Sequence, residues 1–246
     1  MPIIYLSPST QENNFYVTGG TEEQYMNLLA DRMVPYLNAS GIRYSRNTPG
    51  MTAGSSIAAS NRGNYDLHLA LHSNAAPEDR YGTVRGSIVF YYPGSAQGRR
   101  AAEIFADNLR AIYPLPQLVR AEPTTTIGEV RRVRAPSVFL ELAYHDNPED
   151  AAWIQNNLDE IARNLVLSLT EYFGIPFLPP VPERTGMVDV DWGALNIRSR
   201  PELTAPILAQ APDGAPLTII NQWQNWFLVE YRGTIGYARQ DYVTLV

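Results

Sequence analysis

The stretch LHLALHSNA, residues 67–75, alternates apolar and polar residues and then turns polar. Such an alternation is typical of a β-strand. It holds two of the only three histidines in the chain, His68 and His72. Because they are four residues apart, both side chains point to the same side of the strand, and His68 lies about 13 Å further back in the sheet. This distance excludes one metal ion shared by both histidines. His68 is therefore predicted to be packed in the interior or to support His72 without contacting a metal.

Strands and helices alternate from residue 1 to about residue 175. Runs of β type occur at PIIYLS, YDLHLALHS, GSIVFYY and SVFLELAY, and stretches with helical spacing lie between and after them. This alternation predicts an α/β fold with a mostly parallel sheet flanked by helices. A helix is predicted over residues 22–38 with Thr21 as its N-cap, and a last helix is predicted over residues 148–174.

A proline-rich segment divides the chain. In residues 186–246, short β runs are separated by turns every ten residues or so, which predicts a small all-β barrel. The predicted organisation is therefore a larger domain over residues 1–175, a semi-rigid linker over residues 176–185 and a small domain over residues 186–246.

The composition excludes several kinds of function. The chain has no cysteine, so disulfides, thiolate metal sites and cysteine nucleophiles are excluded. A net charge of −6 with scattered arginines argues against a nucleic-acid partner. No apolar run approaches the ~20 residues of a membrane span, and the N-terminus lacks the pattern of a signal peptide. We therefore expect a soluble monomer that is made in the cytoplasm and does not insert into membranes.

The motifs of the small domain resemble those of a known family. In order, they are LNIRS at residues 195–199, a turn at Gly214, Trp226 before a β run, and the pair Gly236-Tyr237. This succession resembles the bacterial SH3 domain, whose members bind cell-wall peptidoglycan. The resemblance implies peptidoglycan as a partner and leaves Trp192 and Trp223 as candidates for binding it. The alternative is that the tryptophans only form part of the core and rim of the barrel. We predict this structural role for Trp226.

Two strand ends of the larger domain resemble a second family. LALHSNA ends with His72, and APSVFLEL carries Glu141. In this order they resemble the zinc-dependent N-acetylmuramoyl-L-alanine amidases of the amidase-3 type, in particular a branch with a Ser-Pro-Ser-x-Gln motif. The resemblance implies Zn2+ bound by His72 and Glu22, with Glu23 as the alternative one residue away. It also implies that Glu141 is the catalytic base and that Asn74 contacts substrate. The reaction implied is cleavage of the amide between N-acetylmuramic acid and the L-alanine of the peptidoglycan stem peptide.

The first zinc ligand of that family, a histidine after the first strand, is missing. The chain reads SPSTQENN at residues 7–14, and no histidine precedes His68. We predict Gln11 as the replacement, with residues 12–14 as alternatives. The interpretation without a metal is that these amide side chains cap a helix or form a turn. Because amide oxygens bind zinc more weakly than imidazole does, a second hypothesis stays open. It is a non-catalytic peptidoglycan-binding protein on a degenerate amidase fold.

The third histidine, His145, comes four residues after Glu141. It could be a metal ligand, an oxyanion donor or an acid for the leaving group, and we predict a catalytic role. The alternative is a cap for the helix that follows residues 146–147. An enzyme of this kind, whether an autolysin or a phage endolysin, would act at the cell wall after lysis or after non-classical release.

Overall fold

The structure is a computed structural model that describes all 246 residues. They form two compact units. One comprises Ile3–Val34 and Tyr44–Tyr172, and the other comprises Met1–Pro2, Pro35–Arg43 and Phe173–Val246. None of the helices combines the length and the apolar character that crossing a membrane requires.

A six-stranded sheet forms the centre of the larger unit. The elements in chain order are β1 (Ile3–Pro8), α1 (Glu22–Ala39), β2 (Arg43–Arg46), α2 (Ala53–Arg62), β3 (Leu67–Asn74), β4 (Ser87–Tyr91), α3 (Ala96–Arg110), β5 (Val119–Pro123), α4 (Gly128–Arg131), β6 (Ser137–Tyr144), α5 (Pro148–Asn156) and α6 (Leu158–Phe173). The strand order is β2-β1-β3-β6-β4-β5. Strand β3 pairs in parallel with β1 and β6, β4 pairs in parallel with β5, and β4 and β6 are antiparallel neighbours. The predicted mostly parallel α/β fold is confirmed.

Helix α1 begins where its cap predicts. The hydroxyl of Thr21 accepts a hydrogen bond from the backbone N–H of Gln24 at 3.2 Å, and Glu22 is the first helical residue. A carboxylate in the first turn is stabilised by the helix dipole. The cap therefore also places the Glu22 carboxylate at the end of the helix that faces the edge of the sheet.

The last predicted helix is in fact two helices. The side chain of Asn147 accepts hydrogen bonds from the N–H groups of Glu149 and Asp150 and so caps α5. Asn157 then leaves the helical conformation with φ at −124°, and its side chain donates to the carbonyl of Trp153 at 2.7 Å. The prediction of one continuous helix over residues 148–174 was wrong because this side chain competes with the backbone for a helical carbonyl. The cap of α5 is Asn147, and His145 has no part in it.

A fully buried carboxylate, Asp150, connects several elements near the end of β6. One of its oxygens accepts hydrogen bonds from Arg85 Nε at 2.8 Å and the Tyr113 hydroxyl at 2.7 Å. The other accepts from the N–H groups of Gly86 and Tyr144, both at 3.1 Å. A buried charge is tolerated only when it is paired and hydrogen-bonded, and these four donors meet that requirement.

The smaller unit contains a seven-stranded antiparallel sheet. Its strands are β7 (Arg184–Val188), β8 (Ala194–Arg198), β9 (Ile207–Pro212), β10 (Pro216–Trp223), β11 (Trp226–Tyr231), β12 (Thr234–Arg239) and β13 (Val243–Leu245), in the spatial order β13-β7-β10-β11-β12-β8-β9. Alternate residues such as Leu195, Ile197 and Val229 form its core. The prediction of a separate all-β fold is confirmed, and Trp226 is buried as expected.

Part of the segment predicted as a linker is packed inside this smaller unit. Leu178 is buried, and its N–H donates to the hydroxyl of Ser40 at 3.0 Å. The side-chain amide of Asn221 donates to the carbonyls of Pro179 at 2.9 Å and Ala39 at 3.4 Å. In this proline-rich segment Leu178 is therefore buried, and Pro179 is exposed but its carbonyl is hydrogen-bonded.

Candidate active site

The predicted base and one predicted metal ligand lie on neighbouring strands. Strands β3 and β6 are parallel, and their register pairs His72 with Glu141. Residues paired in register project to the same face of a sheet. Both residues lie towards the carboxyl ends of their strands, where ligand sites of open α/β sheets are found. The fold therefore brings together two residues that are far apart in sequence.

A polar cluster surrounds Nδ1 of His72. Oε1 of Glu22 lies 2.7 Å from this nitrogen, and Nε2 of Gln11 lies 3.3 Å from it. The side-chain amide of Asn14 donates to Oε1 of Gln11 at 2.9 Å and to Oε2 of Glu22 at 2.7 Å. An open groove of about 440 Å³ is lined by residues 10–14 and 49–52. The cluster is therefore next to a solvent-accessible cleft.

The alternatives that the sequence left open are placed differently. Glu22 is fully buried against His72, whereas Glu23 is partly exposed. Glu12 and Asn13 are exposed, whereas Gln11 and Asn14 contact the cluster. The structure brings together Glu22, Gln11 and His72 from the predicted set and adds Asn14, which was predicted only as an alternative.

A buried carboxylate that the sequence analysis missed lies on the other side of His72. Oε2 of Glu129, in the short helix α4, lies 3.3 Å from Nε2 of His72. Its Oε1 accepts from the Ser7 hydroxyl at 2.5 Å and lies 3.2 Å from Nε2 of His68. His68 is thus fully buried, as its position in the strand predicts, and it is linked to His72 through Glu129.

These carboxylates change the protonation of the cluster. Burial alone would lower the pKa of His72, but its hydrogen bonds to Glu129 and Glu22 raise that pKa to about 10. Burial would raise the pKa of Glu129, but His68 and His72 lower it to about 2. The pKa of Glu22 is also lowered by His72 and Asn14 in spite of burial. Without a metal ion, His72 is therefore an imidazolium between two carboxylates.

Glu141 differs from both of those carboxylates. Its Oε2 is buried and has no hydrogen-bond partner. Burial raises the pKa of Glu141 to about 8, with the charge of His72 opposing that shift and the charge of Glu22 adding to it. A buried polar atom without a partner is costly, and strongly perturbed carboxyl groups occur preferentially at functional sites.

His145 and Asn74 lie at the same end of β3 and β6. Nδ1 of His145 is 3.0 Å from the backbone oxygen of Ser73, and its ring stacks on Tyr16 at 5.4 Å between centroids. Nδ1 is also 3.0 Å from the Ser73 hydroxyl, so Ser73 occupies this side of the ring and Nε2 is left for another partner. Asn74 is the last residue of β3, and its backbone oxygen accepts from the N–H of His145 at 2.8 Å.

The two tryptophans predicted to bind substrate lie at different places on the small barrel. Trp192 is 88% exposed and lines a groove of about 520 Å³ together with Leu203, Arg239 and Tyr242. Trp223 ends β10, is 39% exposed and is not among the residues that line this groove. They therefore do not form one binding surface around this groove.

The side chains of the cluster around His72 can be compared with the ligands that zinc prefers. No group of three or more His, Cys, Asp or Glu side chains is arranged as a metal site. Glu22 and His72 nevertheless supply the carboxylate and imidazole that zinc prefers, within 2.7 Å of each other. Gln11 can add an amide oxygen if its side-chain amide rotates so that Oε1 takes the place of Nε2 near His72. With the unpartnered oxygen of Glu141 on the adjacent strand, this chemistry fits a zinc site that has two strong ligands and one weak ligand.

Two family profiles match the chain. Residues 9–171, more than half of the 246 residues, match the family described as N-acetylmuramoyl-L-alanine amidase. Residues 193–244 match the family described as bacterial SH3 domain. No curated protein sequence is similar enough to count as a match.

Several solved structures share the fold of the larger unit. The amidase AmiC2 of Nostoc punctiforme has a TM-score of 0.62 and 15% identity, covering 70% of this chain and 97% of that chain. The catalytic domain of CwlV from Bacillus (Paenibacillus) polymyxa var. colistinus has a TM-score of 0.61 and 12% identity, covering 72% and 100%. The amidase Ami1 of Mycobacterium smegmatis has a TM-score of 0.59 and 18% identity, covering 70% and 97%. At these identities the likeness shows the fold alone.

Proposed function

The chain belongs to the N-acetylmuramoyl-L-alanine amidase family, and from this premise we propose how its residues carry out the reaction. The bond to be cleaved is the amide between N-acetylmuramic acid and the L-alanine of the peptidoglycan stem peptide. We assign Zn2+ to His72 and Glu22, with Gln11 as the third, weaker ligand. The observation that carries this assignment is the convergence of Glu22 and Gln11 on one ring nitrogen of His72, with Glu141 paired beside it.

Hydrolysis of an unactivated amide needs a nucleophilic water and a polarised carbonyl. Zinc bound here would supply both, because it lowers the pKa of bound water to about 7 and acts as a Lewis acid. Buried Glu22 and His72 would hold the cation at the edge of the sheet, next to the open groove. Burial of these two side chains strengthens their electrostatic interactions.

Glu141 transfers the proton in this proposal. Its carboxylate removes a proton from the attacking water as the new carbon–oxygen bond forms. The same carboxyl group then gives that proton to the nitrogen of L-alanine as the carbon–nitrogen bond breaks. Its buried oxygen has no hydrogen-bond partner in the protein and is therefore free for this exchange.

His145 is assigned to the oxygen of the scissile carbonyl. The bond from Nδ1 to the Ser73 carbonyl fixes the ring, so Nε2 is the atom available to substrate. An Nε2–H group on this ring would donate to the negative charge that develops on the carbonyl oxygen.

Product analysis tests the proposed reaction. The protein, incubated with purified peptidoglycan, should release stem peptides with a free L-alanine amino terminus and should create no new reducing sugar ends. A chelator should abolish this release, and added Zn2+ should restore it, because a bound cation would activate the attacking water. Binding to peptidoglycan without any release of peptides would instead favour the non-catalytic hypothesis. New reducing ends would show that a glycosidic bond is cleaved.

The bacterial SH3 domain is proposed to hold the enzyme on the cell wall. Trp192→Ala should weaken binding of the full chain to purified sacculi by roughly tenfold, because an exposed aromatic side chain in a groove is a typical binding hot spot. Cosedimentation measures the binding, and hydrolysis of small soluble muropeptides should stay unchanged. Trp223→Ala, outside the groove, is the matched control. Loss of binding in the control alone would move the binding surface to the end of β10.

A further inference from the structure

Glu129 contacts the predicted metal ligand His72 at Nε2, the ring nitrogen that Glu22 does not contact. We propose that Glu129 is a positioning residue, which accepts the Nε2–H of His72 and so fixes Nδ1 as the atom that binds the cation. This role rests on the zinc site assigned under the proposed function. It goes beyond that site because Glu129 belongs to none of the motifs that indicated the reaction.

The geometry of the imidazole ring separates the two carboxylates. Glu22 lies 2.7 Å from Nδ1, whereas Glu129 lies 3.3 Å from Nε2. The lone pairs of the two ring nitrogens point in divergent directions, so a cation on one nitrogen leaves the other for a hydrogen bond. One carboxylate can therefore share the cation with His72, and the other can set the tautomer of the ring.

The position of the open groove indicates which nitrogen binds the cation. The Nδ1 side is next to Gln11 and Asn14, which line the open groove. The Nε2 side faces Glu129 and, behind it, the buried side chains of Ser7 and His68. Glu22 and Glu129 are both buried, and the groove-lining side chains contact the cluster on the first side. The cation therefore belongs at Nδ1, and Glu129 acts behind the ring.

Glu129 is itself held in place by its neighbours. Ser7 donates to Oε1, and Nε2 of His68 contacts the same oxygen. Nδ1 of His68 lies 2.9 Å from the hydroxyl of Ser60, which fixes the orientation of the His68 ring. This arrangement accounts for the second histidine of β3, because His68 supports the carboxylate that supports His72.

Such support has a larger effect in a weak site than in a strong one. A carboxylate behind a ligating histidine orients the ring and raises its basicity, and its loss typically lowers metal affinity by about 10- to 100-fold. Here the third ligand is an amide, which binds zinc weakly. The zinc affinity of the site therefore depends strongly on the orientation and basicity of the His72 ring.

The test uses the full chain and measures zinc affinity by competition with a chromophoric chelator. Glu129→Gln should weaken zinc binding by about 10- to 100-fold while the circular dichroism spectrum is retained. In nitrogen NMR of the zinc-loaded protein, the Nε2–H proton of His72 should move upfield because its hydrogen bond to a carboxylate is lost. Asp150→Asn is the matched control, since it removes a buried carboxylate that does not contact His72. It should lower the melting temperature and leave zinc affinity unchanged.

Three results would overturn the role of Glu129. The first is a folded Glu129→Gln variant with wild-type zinc affinity and an unchanged Nε2–H resonance. The second is the loss of one oxygen ligand from the zinc site of this variant in X-ray absorption, which would make Glu129 a ligand. The third is a wild-type chain that binds no zinc, which would overturn the assigned metal site as well. If Glu129→Gln does not fold, His68→Gln takes its place and should lower zinc affinity in the same direction by a smaller factor.

Discussion

Glu141→Gln should lower the rate of peptidoglycan hydrolysis by ~10²-fold or more, while the protein keeps its fold and its zinc content. The amide of glutamine has the shape of the carboxyl group but cannot take a proton from water. The measurement is the rate of peptide release from purified peptidoglycan, together with zinc analysis of the same sample. A rate near that of the wild type would show that another group is the base.

The same substitution should change how stability depends on pH. In the folded, metal-free protein, the pKa of Glu141 is raised from 4.5 to about 8, so the folded state keeps a proton that the unfolded state releases. Stability from this group is present at low pH and falls by up to about 1.4 kcal/mol per pH unit as the pH rises from 4.5 towards 8. Glu141→Gln lacks this contribution, so it should be less sensitive to pH over that range.

Urea unfolding at several pH values in the presence of a chelator measures this difference. Glu103→Gln, an exposed carboxylate on α3, is the control and should retain the wild-type slope. His72 also has a raised pKa and also loses stabilisation as the pH rises, so the wild-type slope is not due to Glu141 alone. The difference between the slopes of Glu141→Gln and Glu103→Gln isolates the contribution of Glu141 to the pH dependence of stability. Identical slopes in both would show that burial does not hold a proton on this carboxyl group.

Removal of either strong ligand should reduce zinc content and activity together. His72→Ala and Glu22→Ala should each weaken zinc binding by more than the ~10- to 100-fold that loss of an outer partner costs, because each removes a direct bond to the cation. Zinc per protein after dialysis and the rate of peptide release are measured on the same samples. Glu23→Ala, one residue away and partly exposed, is the matched control and should keep both. Full zinc occupancy in the His72 or Glu22 variant would remove that residue from the metal site.

Local sequence patterns predict the elements of this protein better than their interactions. The alternation in LHLALHSNA and the apolar run SVFLEL predict β3 and β6, and Thr21 predicts the start of α1. They do not predict that His72 lies opposite Glu141, because the register of two strands so far apart in sequence depends on tertiary packing. The resemblance to the amidases is what indicated that these residues belong to one site.

Two features could not be read from the sequence for physical reasons. Glu129 lies in a helix of four residues, which is too short to show an amphipathic period, and its function depends on contacts made across the fold. The break at Asn157 is hidden because apolar residues such as Ile154 and Ile161 continue the helical spacing through it. In both cases a side-chain hydrogen bond determines the structure, and residue spacing carries no information about it.

The Asp150 carboxylate has a consequence for local motion. It accepts from two backbone amides, those of Gly86 and Tyr144, and from the side chains of Arg85 and Tyr113. Breaking one of these four hydrogen bonds frees little of the chain while the other three persist. The segments that the four bonds join should therefore open together in one cooperative step. The start of β4 and the end of β6, three residues after Glu141, thus form a single exchange unit. Hydrogen exchange at the amides of Gly86 and Tyr144 would occur with a common opening free energy.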